Sequence, residues 1–201
     1  MDLRPLSRRF YARPALELAR ELIGRLLVRE LNGRFLIGRV VEAEAYGPDD
    51  PASHSYRGPT PRNATMFGSA GHAYVYISHG IHHCLNAVAE PPSAVLLRAL
   101  EPVEGLDEMR RRRRTERERL LCAGPGRLCE ALGIGRNLDG HDLTLGRDLW
   151  IARGQRARDV VVTPRVGLSV AIEWPWRFVR AGSPFASRGA GWGRPAVTRP
   201  G

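Results

Sequence analysis

Lysine does not occur anywhere in the 201 residues, so all 31 basic side chains are arginine. Cysteine is scarce. Cys84, Cys122 and Cys129 form an odd set with no paired metal spacing, which reads as buried thiols in a reducing compartment. No apolar run approaches the roughly 18 residues needed to cross a bilayer. The opening stretch MDLRPLSRRFYARPALELAR is punctuated by Arg and Pro and lacks the apolar core of a signal peptide. These absences argue against membrane-spanning and secreted classes and give the cytoplasm as the expected location. Internal repeats are also absent. What remains is ordinary globular composition, 43% hydrophobic and 26% charged, at the length of one domain.

Charge is the first positive clue. The formal net charge is +10. Residues 1–100 carry 12 Arg against 9 acids, and residues 101–201 carry 19 against 12, so the excess is spread and denser late in the chain. A coding bias can replace Lys by Arg, but it does not set the net sign. Arg forks onto phosphate and stacks on bases, so a nucleic-acid partner fits.

Along the chain, Pro14 followed by Leu16, Leu18, Ala19, Leu22 and Ile23 predicts a helix ending near Gly24. RLLVREL and RFLIGRVVEAEAY flank Asn32-Gly33, the strongest short-range hairpin signal. Residues 47–63 are loop-like. AYVYIS predicts a strand with Tyr74 and Tyr76 on one face, a turn at His79-Gly80, and a return arm IHHCLNAVA. AVLLRAL predicts another strand. Residues 105–132 read as two helical pieces, the second opening at Gly124-Pro125-Gly126. DLWIAR, DVVVT and WRFVRA predict short strands. The run Arg110–Arg119 reads as a solvated face or mobile loop. The expected fold is α+β: one mixed domain over residues 1–187, with a curved, largely antiparallel sheet flanked by helices and a protruding β-hairpin, followed by a flexible Gly/Pro/Arg tail over 188–201.

Three constellations can carry chemistry. In Glu42-Ala43-Glu44-Ala45-Tyr46, strand alternation puts both acids and the phenol on one face. Like charges raise one carboxyl pKa and can poise a general base; from these residues alone, an exposed strand face of ordinary acids is the simpler account. Tyr46, Tyr74 and Tyr76 with His54 near strand ends could form a slot for a flat, electron-poor ring, although a single Tyr more often packs in a core. The hairpin turning at His79-Gly80 is either a DNA-groove wedge or a plain hairpin with a polar tip. A metal site built on His79, His82, His83 and Cys84 is disfavoured, because His82 and His83 point to opposite faces of a strand and no HExxH or CxxC pattern accompanies them.

The stretch VVEAEAYGPDDPASHSYRGPTPRNATMFGSAGHAYVYISHGIHHCLNAV, residues 40–88, closely resembles the alkyladenine (3-methyladenine) DNA glycosylase family. The likeness continues through AVLLRALEPVEGLDEMR, CAGPGRLCEALGI and PRVGLSVAIEWPWRFVRAGSPFAS, in order, over roughly residues 5–187. It implies a single mixed α/β domain that excises alkylated and deaminated purines from double-stranded DNA, hydrolysing the N-glycosidic bond with no cofactor and no metal and leaving an abasic site.

By the same resemblance, Glu44 is the general base, Arg98 in LLRALEP helps hold the attacking water, and the main chain at Val166 is its third anchor. Tyr46 and Tyr76 stack on the flipped base, His54 meets its edge, and Asn86 crowds the 2-amino group of guanine. At the hairpin tip His79 stands where the family places Tyr; it is smaller, more polar and titratable, which predicts weaker stabilisation of the flipped state and some pH sensitivity. Ile81 and His82 are expected to flank the wedge. Arg127, with the free N–H groups at Gly124-Pro125-Gly126, is a candidate phosphate grip. The expected partner is double-stranded DNA containing damaged purines, met by a monomer at the nucleoid, with no membrane. 3-Methyladenine, 7-methylguanine, hypoxanthine and ethenoadenine all fit such a slot, and the sequence does not rank them. The contrasting class is a non-catalytic DNA-damage binder of the same fold; intact Glu44, Tyr46, Tyr76 and Arg98 weigh against it.

Overall fold

Strand β2, Arg34–Tyr46, runs 13 residues and organises everything around it. The computed structural model describes residues 1–187; the tail expected over 188–201 lies outside the described residues. Along one edge β2 pairs with β5 (Ala94–Glu104). Along the other it is shared: its first part pairs with β1 (Leu26–Leu31), and Glu42, Ala43 and Glu44 pair with β8 (Arg177–Arg180). The sheet order is β3-β4-β5-β2-β1-β6, where β3 is Ala73–Ser78, β4 is His82–Val88 and β6 is Leu149–Ala152. β7 (Val160–Thr163) adds to β8. Every pairing is antiparallel.

The local rules explain most of this. Asn32 and Gly33 both take positive φ, 52° and 73°, and Leu31 pairs with Arg34, so a two-residue turn joins β1 and β2. The second hairpin pairs Ser78 with His82 around His79, Gly80 and Ile81, one residue longer than the expected two-residue turn. His79 and Gly80 carry the positive φ values, 51° and 74°. β5 runs on to Glu104, past the expected end at Leu100, because Pro102 and Glu104 still find partners in Gly38 and Ile37.

Helix α1 (Arg8–Tyr11) is a single turn that the periodicity did not reveal. Helix α2 (Ala15–Leu22) begins just after Pro14 and buries Leu18, Ala19 and Leu22. Gly105, at φ 78°, admits α3 (Leu106–Arg113), which has Asp107 and Glu108 in its first turn and four arginines in its last, the arrangement that suits the helix dipole. Helix α4 (Pro125–Leu132) starts with Pro in its first turn, as expected, and stops at Gly133 with φ 63°.

Sheet alternation divides the interior. One face, carrying Leu36, Val40, Ala43, Val75, Leu85 and Leu97, packs with α2 and α4 in the main core. The result is one α+β domain with the helices against that face. The opposite face carries Glu42, Glu44, Tyr46, Tyr74, Tyr76 and Asn86.

Candidate active site

Cross-strand register sets the site. Tyr74 pairs with Asn86, Asn86 with Leu96, and Leu96 with Glu44, a row across four strands. One step along, Tyr46 pairs with Ala94 and Tyr76 with Cys84. Residues 30 to 50 positions apart in sequence therefore share one patch. Arg98 sits at a register break: Glu42 pairs with Ala99 and Ala43 with Leu97, leaving Arg98 unopposed. Such bulges re-aim a side chain. Here the guanidinium lies between the two carboxylates, with Nε donating to Glu42 Oε1 at 3.1 Å and Nη1 to Glu44 Oε2 at 3.1 Å.

Both acids are fully buried, so the strand face is not an exposed one. They also do not confront one another as bare like charges. Glu42 accepts four hydrogen bonds: from Arg98 Nε, from Arg177 Nε at 2.7 Å, and from the Ser187 N–H at 2.6 Å and hydroxyl at 2.8 Å. Glu44 accepts three: from Arg98 Nη1, from the Tyr46 hydroxyl at 2.9 Å on Oε2, and from the Val166 N–H at 2.9 Å on Oε1. A carboxylate offers about four lone-pair sites. On Glu42 three donors crowd Oε1 and one reaches Oε2; on Glu44 two reach Oε2 and one reaches Oε1, so each acid keeps one oxygen with a single donor. Val166 thus meets Glu44 directly, through its amide.

Beside Glu44 lies a cavity of about 100 Å³ lined by Tyr46, His54, Tyr74, Tyr76, Asn86 and Leu168, among others. His54 Nδ1 lies 2.8 Å from the Tyr74 hydroxyl, and its ring stands edge-on to Tyr76 with centroids 4.5 Å apart. Partial burial, then the positive charge of Arg62, holds the His54 imidazole below its usual pKa, so it is neutral at pH 7. Burial pushes the Tyr74 phenol up to about 12. Tyr46 and Tyr76 are driven higher, by burial first and then by the Glu44 charge for Tyr46 and by Cys84 for Tyr76. The slot therefore presents neutral aromatic rings. Asn86 turns its NH2 onto the Tyr74 carbonyl at 3.0 Å.

Two partnerships escaped the sequence reading. Arg165 and Asp50 form a fully buried ion pair behind Tyr46. The Arg165 guanidinium stands 4.7 Å from the Tyr46 ring centroid and 5.2 Å from that of Trp176, and it also donates to the Ala45 carbonyl at 3.0 Å. Arg62, near the end of the loop, donates to the Ile77 carbonyl at 3.3 Å and lies 6.0 Å from the Tyr76 ring, beside β3 near the hairpin turn. Neither has a local sequence signature; in each case the partner sits on a different element.

The hairpin tip is open. His79 is exposed, with Nδ1 2.9 Å from the Ser78 hydroxyl, and Ile81 is 73% exposed. His82 packs against the start of α4, where a Cβ on Gly126 would come within 3.0 Å of its ring. The exposed Arg127 belongs to that same first turn and donates to the Ala123 carbonyl at 3.3 Å. His82 thus ties the hairpin to the first turn of α4, which also carries Arg127. The arginine run behaves as a salt-bridged face: Arg110 pairs with Asp107, Arg111 and Arg112 with Glu108, and Arg113 with Glu130. Among the described residues no group of three or more His, Cys, Asp or Glu side chains is placed to hold a metal ion, and no helix is long and apolar enough to cross a membrane.

Comparison with known proteins gives a family model described as methylpurine-DNA glycosylase, which matches residues 9–184. Similar curated proteins carry the name "Putative 3-methyladenine DNA glycosylase", among them the following three. That of Carboxydothermus hydrogenoformans is 46% identical over 188 residues, covering 91% of this chain and 98% of its own. That of Agrobacterium fabrum is 48% identical over 183 residues, 89% of this chain and 90% of its own. That of Rubrobacter xylanophilus is 52% identical over 166 residues, 81% of this chain and 86% of its own.

Proposed function

Since the chain belongs to the methylpurine-DNA glycosylase family and is therefore a DNA glycosylase acting on alkylated bases, we propose that it swings a damaged purine out of duplex DNA and hydrolyses its N-glycosidic bond with Glu44 as the general base. The observation that carries this assignment is what each buried acid touches: Glu44 accepts from the hydroxyl of Tyr46, which lines the aromatic cavity, whereas the donors to Glu42 are Arg98, Arg177 and Ser187, none of which lines it. Glu44 Oε1 has a single donor, the Val166 N–H, and keeps a lone pair that can receive a proton from water.

The chemistry follows from that placement. A water held at Glu44 Oε1 gives its proton to the carboxylate as its oxygen attacks C1′. The C1′–N bond breaks and its electron pair leaves with the base. Positive charge develops on the sugar and is stabilised by the adjacent carboxylate. A purine alkylated at N3 or N7 already carries positive charge and departs neutral, so it needs no proton donor. A deaminated purine needs one, and the neutral His54 and the high-pKa phenols are poor sources, so its proton comes from solvent and its release is slower.

Tyr46 and Tyr76 stack on the extruded base, His54 meets its edge, and Asn86 disfavours guanine by crowding its 2-amino group. His79, Ile81 and His82 enter the groove, while Arg127 and the first turn of α4 take a phosphate. The product is an abasic site on an intact strand: with no lysine in the chain, no side-chain amine is available to form an imine with C1′. The enzyme acts as a monomer at the cytoplasmic nucleoid.

The test is release of free base from methylated duplex in EDTA, with alkali afterwards to reveal abasic sites. Wild type releases base, and Glu44→Gln binds the same duplex but loses roughly 10²–10⁴ in rate. Binding without release by wild type would instead establish a damage-binding protein, and loss of activity in EDTA would revive the metal reading.

A further inference from the structure

Glu42 is set apart from the aromatic cavity: its donors are Arg98, Arg177 and Ser187, none of which lines it. We infer that Glu42 is a positioning residue for the hydrolysis: it fixes the plane of the Arg98 guanidinium so that Arg98 meets Glu44 through one nitrogen only, leaving Glu44 Oε1 open. This rests on Glu44 being the base.

Three features support the inference. Arg98 sits at a register break, where the backbone ladder alone does not set its direction. Its Nε is spent on Glu42 and its Nη1 on Glu44, so the rigid fork is held from both ends. Arg–carboxylate pairs favour two-point contact; freed from Glu42, Arg98 would rotate into such a contact with Glu44 and cover the lone pair that water needs. Glu42 is in turn fixed from the far end of the fold. Arg177 reaches it from β8, and Ser187 gives it both N–H and hydroxyl, so residues 183–187 fold back onto the catalytic strand. The group is charge-balanced, two carboxylates with two guanidiniums.

The test compares wild type, Glu42→Gln, Ser187→Ala, Arg98→Met and the Glu42→Gln/Arg98→Met double variant in single-turnover base release from methylated duplex, alongside affinity for an ethenoadenine duplex. Glu42→Gln is expected to lower the rate roughly a hundredfold with affinity changed less than about twofold, since the tyrosine slot is untouched. In the Arg98→Met background the same substitution is expected to change the rate less than about twofold, because Glu42 acts through Arg98. Ser187→Ala, which leaves every charge in place, gives a smaller loss of about three- to tenfold in rate at unchanged affinity, and it decides the matter if Glu42→Gln does not fold. A Glu42→Gln rate within twofold of wild type, equal losses in rate and affinity, or losses that multiply in the double variant would overturn the inference. No base release by wild type would instead defeat the parent reading of the function.

Discussion

The Tyr46 hydroxyl donates to Glu44 Oε2 at 2.9 Å, so the ring that walls the aromatic cavity is also a ligand of the buried acid. In the proposed mechanism, stacking and base chemistry meet in one side chain. Tyr46→Phe keeps the ring and removes the donor. A hydrogen bond to a charged group is worth about 1.5–3 kcal/mol, so the excision rate should fall roughly ten- to hundredfold while affinity for ethenoadenine duplex stays within about twofold. Tyr46→Leu should lose both. Equal affinity losses in the two variants would separate the hydroxyl from catalysis.

Behind that ring, the Asp50–Arg165 pair is entirely buried. Removing one partner of such a pair leaves an unpaired charge at a cost of about 3–5 kcal/mol. Asp50→Ala should therefore lower the melting temperature by roughly 6–20 °C for a domain of this size, with the Tyr46 stack disordered as a second effect. Thermal unfolding monitored by circular dichroism checks this; a drop under two degrees would show the pair to be dispensable.

For His54, partial burial and the Arg62 charge both favour the neutral ring. A histidine with a depressed folded-state pKa binds fewer protons folded than unfolded, so its effect on stability is constant above the ordinary value of 6.5 and becomes unfavourable as pH falls below that value. Arg62→Ala removes a positive neighbour and should move the His54 titration midpoint upward. NMR titration of the imidazole resonances reads this directly, and a downward or absent movement would refute the assigned cause.

At the hairpin tip, His79 occupies the left-handed conformation with its side chain on the Ser78 hydroxyl. His79→Tyr enlarges the wedge and should tighten binding to lesion duplex and raise excision of neutral lesions by severalfold, since filling the vacated stack opposes return of the base. Unchanged affinity and excision would mean that the tip does not act as a wedge.

Much of this was legible in the chain. Asn32-Gly33 declared its turn, AYVYIS and IHHCLNAVA declared a hairpin within a residue, and period-two alternation put Glu42, Glu44 and Tyr46 on one face. Period alone could not say what that face meets. Arg177 and Ser187 lie 135 and 145 residues from Glu42, and Arg165 lies 115 from Asp50; only the tertiary fold brings them together. The two acids looked like competing charges because the arginine between them comes from another strand, at a bulge that no local pattern announces.

The tight Asn32-Gly33 turn and the Glu44 carboxylate stand near opposite ends of β2. At about 3.3 Å per residue, some ten residues place them roughly 30 Å apart. A fluorophore, affinity handle or short peptide grafted at that turn would report on or immobilise the enzyme while leaving the proposed lesion-reading surface free to engage its duplex.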